Sequence, residues 1–157
     1  GTLSQIEQKQ HADAMKDSNG AIEASFILGG QIADSDPEIY HIYPQGNYIS
    51  ASMENPFLQI GETKYGKPIL DRVIGANTSL EDAARCALVS IDSTIRSNIS
   101  VGPPLELAIY RTNSLADPYH MKLTMFSPLY KSLQKRWNEG LHRAFNRLPR
   151  FDWEIKK

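Results

Sequence analysis

Cysteine is almost absent. Cys86 is the only one in 157 residues, which excludes an internal disulfide and fits a reducing compartment. Long apolar runs are missing too. No stretch approaches the roughly 20 residues of a membrane span, and residues 1–25 are too polar for a signal peptide. A cytoplasmic protein with no membrane partner is therefore expected. Long basic runs are lacking and the formal net charge is −1, so nothing points to nucleic acid. The four histidines His11, His41, His120 and His142 stand apart, with no H-x-x-x-H, H-x-H or cysteine partner. That pattern offers no metal site and implies no other cofactor. No G-x-S-x-G elbow announces serine-hydrolase chemistry. His41, flanked by apolar residues on a strand, is expected to be a satisfied structural residue.

What is present is ordinary globular material. Hydrophobic content of 41% and charged content of 22% sit near the soluble average, and the length suffices for one real core. A single domain over 1–157 is expected. Ser4-Gln5-Ile6-Glu7 has capping-box spacing and opens a polar helix that stops at Asn19-Gly20. Four β-rich runs then follow: Phe26–Ile32, Glu38–Tyr43, Tyr48–Ser52 and Phe57–Gly61. The Pro, Gly and Asn turns between them are too short for helical crossovers, so an antiparallel meander is predicted. Gly29-Gly30 reads as a bulge or close backbone approach.

Beyond Gly61 the periodicity changes. Pro68–Ile74 reads as a short helix. Thr78-Ser79-Leu80-Glu81 reads as a capping box with Thr78 as N-cap, and Leu80, Ala84, Ala87, Leu88, Ile91 and Ile95 recur at helical spacing through Arg96. Cys86 falls beside that stripe as a structural thiol. Leu105–Thr112 and Tyr119–Phe126 alternate as strands. Ser127-Pro128 then starts a helix whose apolar face is predicted as Leu129, Leu133, Trp137, Leu141, Phe145 and Leu148. Phe151 and Trp153 lie in the tail, as rings able to dock onto a neighbour or as part of a free end. Helices segregated from antiparallel strands make the class α+β.

One motif is a decoy. Gly61–Lys67 fits G-x-x-x-x-G-K after a strand, yet Pro68 stands where a phosphate loop needs a magnesium-binding hydroxyl. Glu62 would also place a carboxylate among phosphates, and the hairpins before it are not a βαβ unit.

The words F-I-L-G-G-Q-I (Phe26–Ile32), I-Y-P-x-G (Ile42–Gly46), F-L-Q-I-G-E-T-K-Y-G-K-P-I-L-D-R (Phe57–Arg72), T-S-L-E-D-A-A-R (Thr78–Arg85) and S-N-I-S-V-G-P-P (Ser97–Pro104) carry a resemblance. The chain resembles the C-terminal portion of a proteasome-type subunit, most closely the bacterial branch called Anbu. The resemblance implies antiparallel sheets with flanking helices, part of the αββα sandwich of N-terminal nucleophile hydrolases. It also implies a peptide or protein substrate, and partners that are copies of itself or the N-terminal part of the same protein.

In such enzymes an N-terminal threonine hydroxyl is the nucleophile and its own α-amine the base. That amine, with an ordinary pKa near ~8, must be held neutral and oriented. The resemblance places two turns beneath this site, Gly61-Glu62-Thr63 and Ser97-Asn98 with Ser100 and Gly102. Ser97 aligns with an acid of the family pattern, Ser100 with its serine, and Val101 and Gly102 with its glycines. Glu62 replaces a small hydroxyl residue. Read without the resemblance, both turns are helix capping and loop chemistry. Thr2 precedes a helix and not a nucleophile strand, so it is read as ordinary and the chain holds no catalytic residue. Two functions follow: part of a threonine peptidase, inactive by itself, or a non-catalytic ring or assembly subunit. The replaced acid at Ser97 favours the second, the long Anbu-like words the first. Strands covered only by the family's N-terminal segment predict an open edge at Phe26–Ile32 or Leu105–Thr112, and hence self-association.

Overall fold

The structure, a computed structural model, describes residues 24–154. The predicted helix from Ser4 lies outside the described residues. The fold is α+β, with antiparallel sheets and flanking helices. Three strands form one sheet: β1 (Phe26–Gly30), β2 (Glu38–Ile42) and β3 (Tyr48–Ser50), in the order β1-β2-β3. Phe26 pairs with Ile42 and Gly30 with Glu38, while Tyr40 pairs with Ser50. The ladder runs unbroken through Gly29 and Gly30, so the expected bulge is absent there. Gly46 closes the β2–β3 turn at φ +86° and donates its N–H to the Tyr43 carbonyl at 2.9 Å. Only glycine adopts that left-handed backbone without a steric cost.

The fourth predicted strand, Phe57–Gly61, is not a strand. A strand exists through ladder bonds to a neighbour, and this stretch has no such partner among the described residues. β1 likewise carries no strand on its outer edge among the described residues, and both Phe26 and Leu28 are 60% exposed. Among the described residues, the edge expected to be open at Phe26–Ile32 is unpaired.

Helix α1 spans Lys67–Val73 and α2 spans Leu80–Ser97. The cap of α2 differs from expectation. Ser79, not Thr78, is the N-cap, its hydroxyl accepting from the Asp82 N–H at 3.1 Å. Thr78 is used one step earlier, its Oγ1 accepting from the Gly75 N–H at 2.8 Å. Both residues have capping chemistry, and the spacing could not rank them. Strands β4 (Leu105–Ile109) and β5 (Tyr119–Leu123) make a second antiparallel sheet, followed by α3 (Pro128–Asn146).

The core lies between α2, β4–β5 and α3. Leu88, Leu105, Leu123 and Tyr130 are buried together, with Ile91, Ile95, Leu107, Met121 and Leu133 packed around them. Tyr130 rather than Leu129 is therefore the inward residue of α3. Leu129, Leu141, Phe145 and Leu148 are exposed, which corrects most of the predicted face. A buried carboxylate fixes this rotation of the helix. Asp92, 1% exposed, accepts from the Tyr130 hydroxyl at 3.0 Å, from Gln134 Nε2 and from Arg96 Nε at 3.1 Å. A buried charge is tolerable only with such donors, and Tyr130 and Gln134 reach it only if that side of α3 faces inward.

The two sheets are tied by Gln31. Its Oε1 accepts from the Tyr110 hydroxyl at 2.9 Å and from the Asn113 N–H at 2.7 Å. Its Nε2 donates to Asn113 Oδ1 and to the Ser35 carbonyl, each at 2.7 Å. His41 does not match its expectation. Its ring sits 4.2 Å from that of Tyr43, and its buried Nε2 has no hydrogen-bond partner among the described residues.

Candidate functional site

The two polar turns marked out in the sequence meet in space. Gly61 opens the first at φ +82°, a left-handed backbone that glycine adopts freely. That reversal sends the chain into Glu62 and Thr63. The Glu62 carboxylate accepts from the Lys64 N–H at 3.0 Å through Oε1. Its other oxygen accepts from Asn98 Nδ2 at 3.3 Å. Asn98 is the C-cap of α2, its backbone N–H bonded to the Thr94 carbonyl at 2.8 Å. Its side-chain oxygen accepts from the Ser100 N–H at 3.0 Å and from the Ser100 hydroxyl at 2.7 Å. Glu62, Asn98 and Ser100 thus form one hydrogen-bonded chain across turns 36 residues apart in sequence.

The remaining site residues are less engaged. The Thr63 carbonyl accepts from the Lys67 N–H at 3.0 Å, so its backbone leads into α1. Ser97 ends α2, and its hydroxyl has no partner among the described residues. Gly102 faces open space just before Pro103-Pro104. Chemically the arrangement offers a carboxylate oriented by an amide, a primary hydroxyl oriented by the same amide, and no nucleophile–base pair. It can position a donor group brought to it.

The joint depends on how α1 meets α2. Gly66 is buried, and a methyl there would lie 2.2 Å from Ser90 Oγ and 2.9 Å from the Ser90 carbonyl oxygen. Backbone on backbone at that distance requires glycine. The second glycine of the phosphate-loop lookalike is thus a packing residue. Its lysine is committed as well, with Lys67 Nζ 2.6 and 2.9 Å from the Asp71 carboxylate oxygens. Nothing in this loop resembles a phosphate cradle.

Elsewhere, several charged groups pair on the surface. Arg111 holds the Glu81 carboxyl below the usual range through a 2.5 Å hydrogen bond. Arg85 and the Ser79 hydroxyl do the same for Asp82. Burial pushes the Cys86 thiol up, which keeps it protonated and inert, as a structural thiol should be. Burial first, and then the hydrogen bond to Asp92, push the Tyr130 phenol up to about 12. Among the described residues no helix is long and apolar enough to cross a membrane.

The sequence singled out the two turns but not the hydrogen bond that joins them. Glu62 and Asn98 are separately unremarkable polar residues, and no local signal links them. Gln31 and Gly66 were missed as organisers for the same reason.

The family model described as "Proteasome subunit" matches residues 2–110. Comparison with curated proteins finds no match. Among solved structures, the Anbu complex of Pseudomonas aeruginosa, described as a helical assembly, is 46% identical with a TM-score of 0.81. That match covers 94% of this chain and 63% of the other. Anbu, "ancestral beta-subunit", from Yersinia bercovieri is 42% identical with a TM-score of 0.82, covering 92% and 62%. Anbu from Hyphomicrobium sp. strain MC1 is 40% identical with a TM-score of 0.79, covering 90% and 59%. The chain spans about three-fifths of the length of these structures. With a family match over most of its length and the α+β fold in common with the Anbu structures it resembles, the chain belongs to the proteasome subunit family.

Proposed function

We propose that this chain is the site-supporting part of a proteasome-type N-terminal-threonine peptidase acting on peptide bonds, inactive alone and working as a self-associated subunit. The observation that supports this most is the Glu62–Asn98–Ser100 chain. An α-amine serving as base needs hydrogen-bond partners and a nearby negative charge to hold it in place. Ser97 supplies no charge at the family's acid position, and Glu62, held by Asn98, brings a carboxylate to the same joint from the other turn. Asn98 then sets the Ser100 hydroxyl, the counterpart of the family's serine. Self-association is supported by the helical assembly of the Pseudomonas relative and by the outer edge of β1, unpaired among the described residues. Under this reading residues 1–157 form one unit, with Gly61, Glu62, Thr63, Ser97, Asn98, Ser100 and Gly102 as its supporting residues.

The unengaged Ser97 hydroxyl favours a second reading, a non-catalytic assembly subunit. Turnover separates the two. The purified 157-residue chain should not cleave fluorogenic peptides. Mixed with a polypeptide comprising the part of the Pseudomonas chain that lies outside the match, it should do so. Glu62→Gln keeps the shape and removes the charge, and should lower that turnover about 10- to 100-fold, the scale seen when an orienting partner behind a site is lost. Turnover by the chain alone would overturn its assignment as a supporting part without a catalytic residue. Assembly of the two polypeptides without turnover would leave the assembly-subunit reading in its place.

A further inference from the structure

A groove of about 820 Å³ lies between the three helices. It is lined toward the N-terminal end of α2, the opposite end of that helix from Asn98. Ile69 and Val73 of α1, Val89 of α2, and Leu133 and Trp137 of α3 make its apolar wall. A smaller hollow of about 320 Å³ continues past Trp137 to Leu141. Arg136 stands in the groove lining, and its guanidinium has no ion-pair partner among the described residues. Arg85, also in the lining, is already engaged by Asp82.

The tail after α3 carries matching chemistry. Phe151 and Trp153 stack with ring centroids 5.4 Å apart and planes within 8°. They remain 64% and 72% exposed. Asp152 sits between them in sequence, without an ion-pair partner among the described residues, whereas Glu154 turns back to Arg150 at 3.4 Å. Two rings held in water by a turn, with the Glu154 N–H on the Phe151 carbonyl at 2.9 Å, form a preordered anchor. A fully buried aromatic side chain removes about 150–250 Å² from water, and roughly two-thirds of each side chain is still exposed.

We propose that Phe151-Asp152-Trp153 of one copy docks in the three-helix groove of a second copy, the rings against Trp137 and Leu133 and Asp152 against Arg136. This rests on the self-association part of the proposed function and not on catalysis. The second copy is favoured because the tail's own turn holds both rings outside the groove of its own molecule. Donor tail and acceptor groove are different surfaces, so the contact is head-to-tail and propagates from copy to copy.

Sedimentation equilibrium of the 157-residue chain tests this, with circular dichroism as the check on folding. Phe151→Ala with Trp153→Ala should weaken association by about 30-fold or more, as loss of aromatic anchors does. Arg136→Asp and Asp152→Arg should each weaken it about two- to five-fold, and the two together should restore it. Association unchanged in the ring variant, or no restoration in the charge exchange, overturns the docking and leaves self-association standing. A wild-type chain that stays monomeric overturns both. In a Trp137→Phe chain, where Trp153 is the one remaining tryptophan, emission that is already buried and independent of concentration would place the tail in its own groove and also reject the proposal.

Discussion

Gly66→Ala tests the contact on which the two-turn joint rests. The substitution adds one methyl where the Ser90 hydroxyl lies at 2.2 Å and the Ser90 carbonyl oxygen at 2.9 Å. Ordinary contact begins near 3.4 Å. The hydroxyl can rotate, but the carbonyl belongs to α2 and accepts from Thr94 Oγ1 at 3.1 Å. Either α1 or α2 must therefore retreat by about 0.5 Å. Overpacking of this kind costs about 1–3 kcal/mol. The alanine also restricts the unfolded chain, which returns about 0.4–1 kcal/mol, and the native φ of −92° is open to alanine. The net loss is about 1–2 kcal/mol, or roughly 3–8 °C in Tm for a domain of this size. Thermal unfolding followed by circular dichroism measures it. Two other glycines separate crowding from backbone strain. Gly75 faces open space without a positive φ, so Gly75→Ala should match or exceed the parent. Gly61 also faces open space but at φ +82°, so Gly61→Ala should lose about 1–2 kcal/mol from the left-handed backbone alone. A Gly66→Ala chain as stable as Gly75→Ala would refute the close approach of α1 and α2.

The Tyr130 phenol holds its proton in the folded state up to about 12, against 10.0 ordinarily, so its stabilisation is complete below pH 10 and is lost as pH rises toward 12. The loss is on the order of 2 kcal/mol; urea midpoints at pH 9 and 11 should fall less in Tyr130→Phe than in the parent, and parallel slopes would sink the assignment. Lys67 is bound to Asp71 and followed by Pro68, so neither the parent nor Lys67→Ala should bind Mg-ATP. Micromolar binding by titration calorimetry would reject that account of the loop.

The sequence alone determined much about this protein. β-rich runs bounded by Pro, Gly and Asn turns put β1, β2 and β3 in place, and alternation and helical spacing placed β4, β5, α2 and α3, because those periods follow from backbone geometry. The long words from Phe26 to Pro104 determined the family, and with it the two turns that belong together. What it left open are matters of contact between residues distant in the chain. Phe57–Gly61 has strand composition, but a strand also needs a neighbour, and no neighbour for it is present among the described residues. Along α3 the apolar stripe named Leu129 and Phe145, whereas the inward side was set by Asp92, a charged residue on another helix that required Tyr130 and Gln134. Serine and threonine side by side at 78–79 both cap, and only the path of the loop decided that Ser79 caps α2. Most of all, no local pattern encodes that Glu62 bonds to Asn98 or that Gly66 fits only against Ser90. Sequence sets which conformations each segment favours. The closing of one helix against another decides which side chains finally share a site.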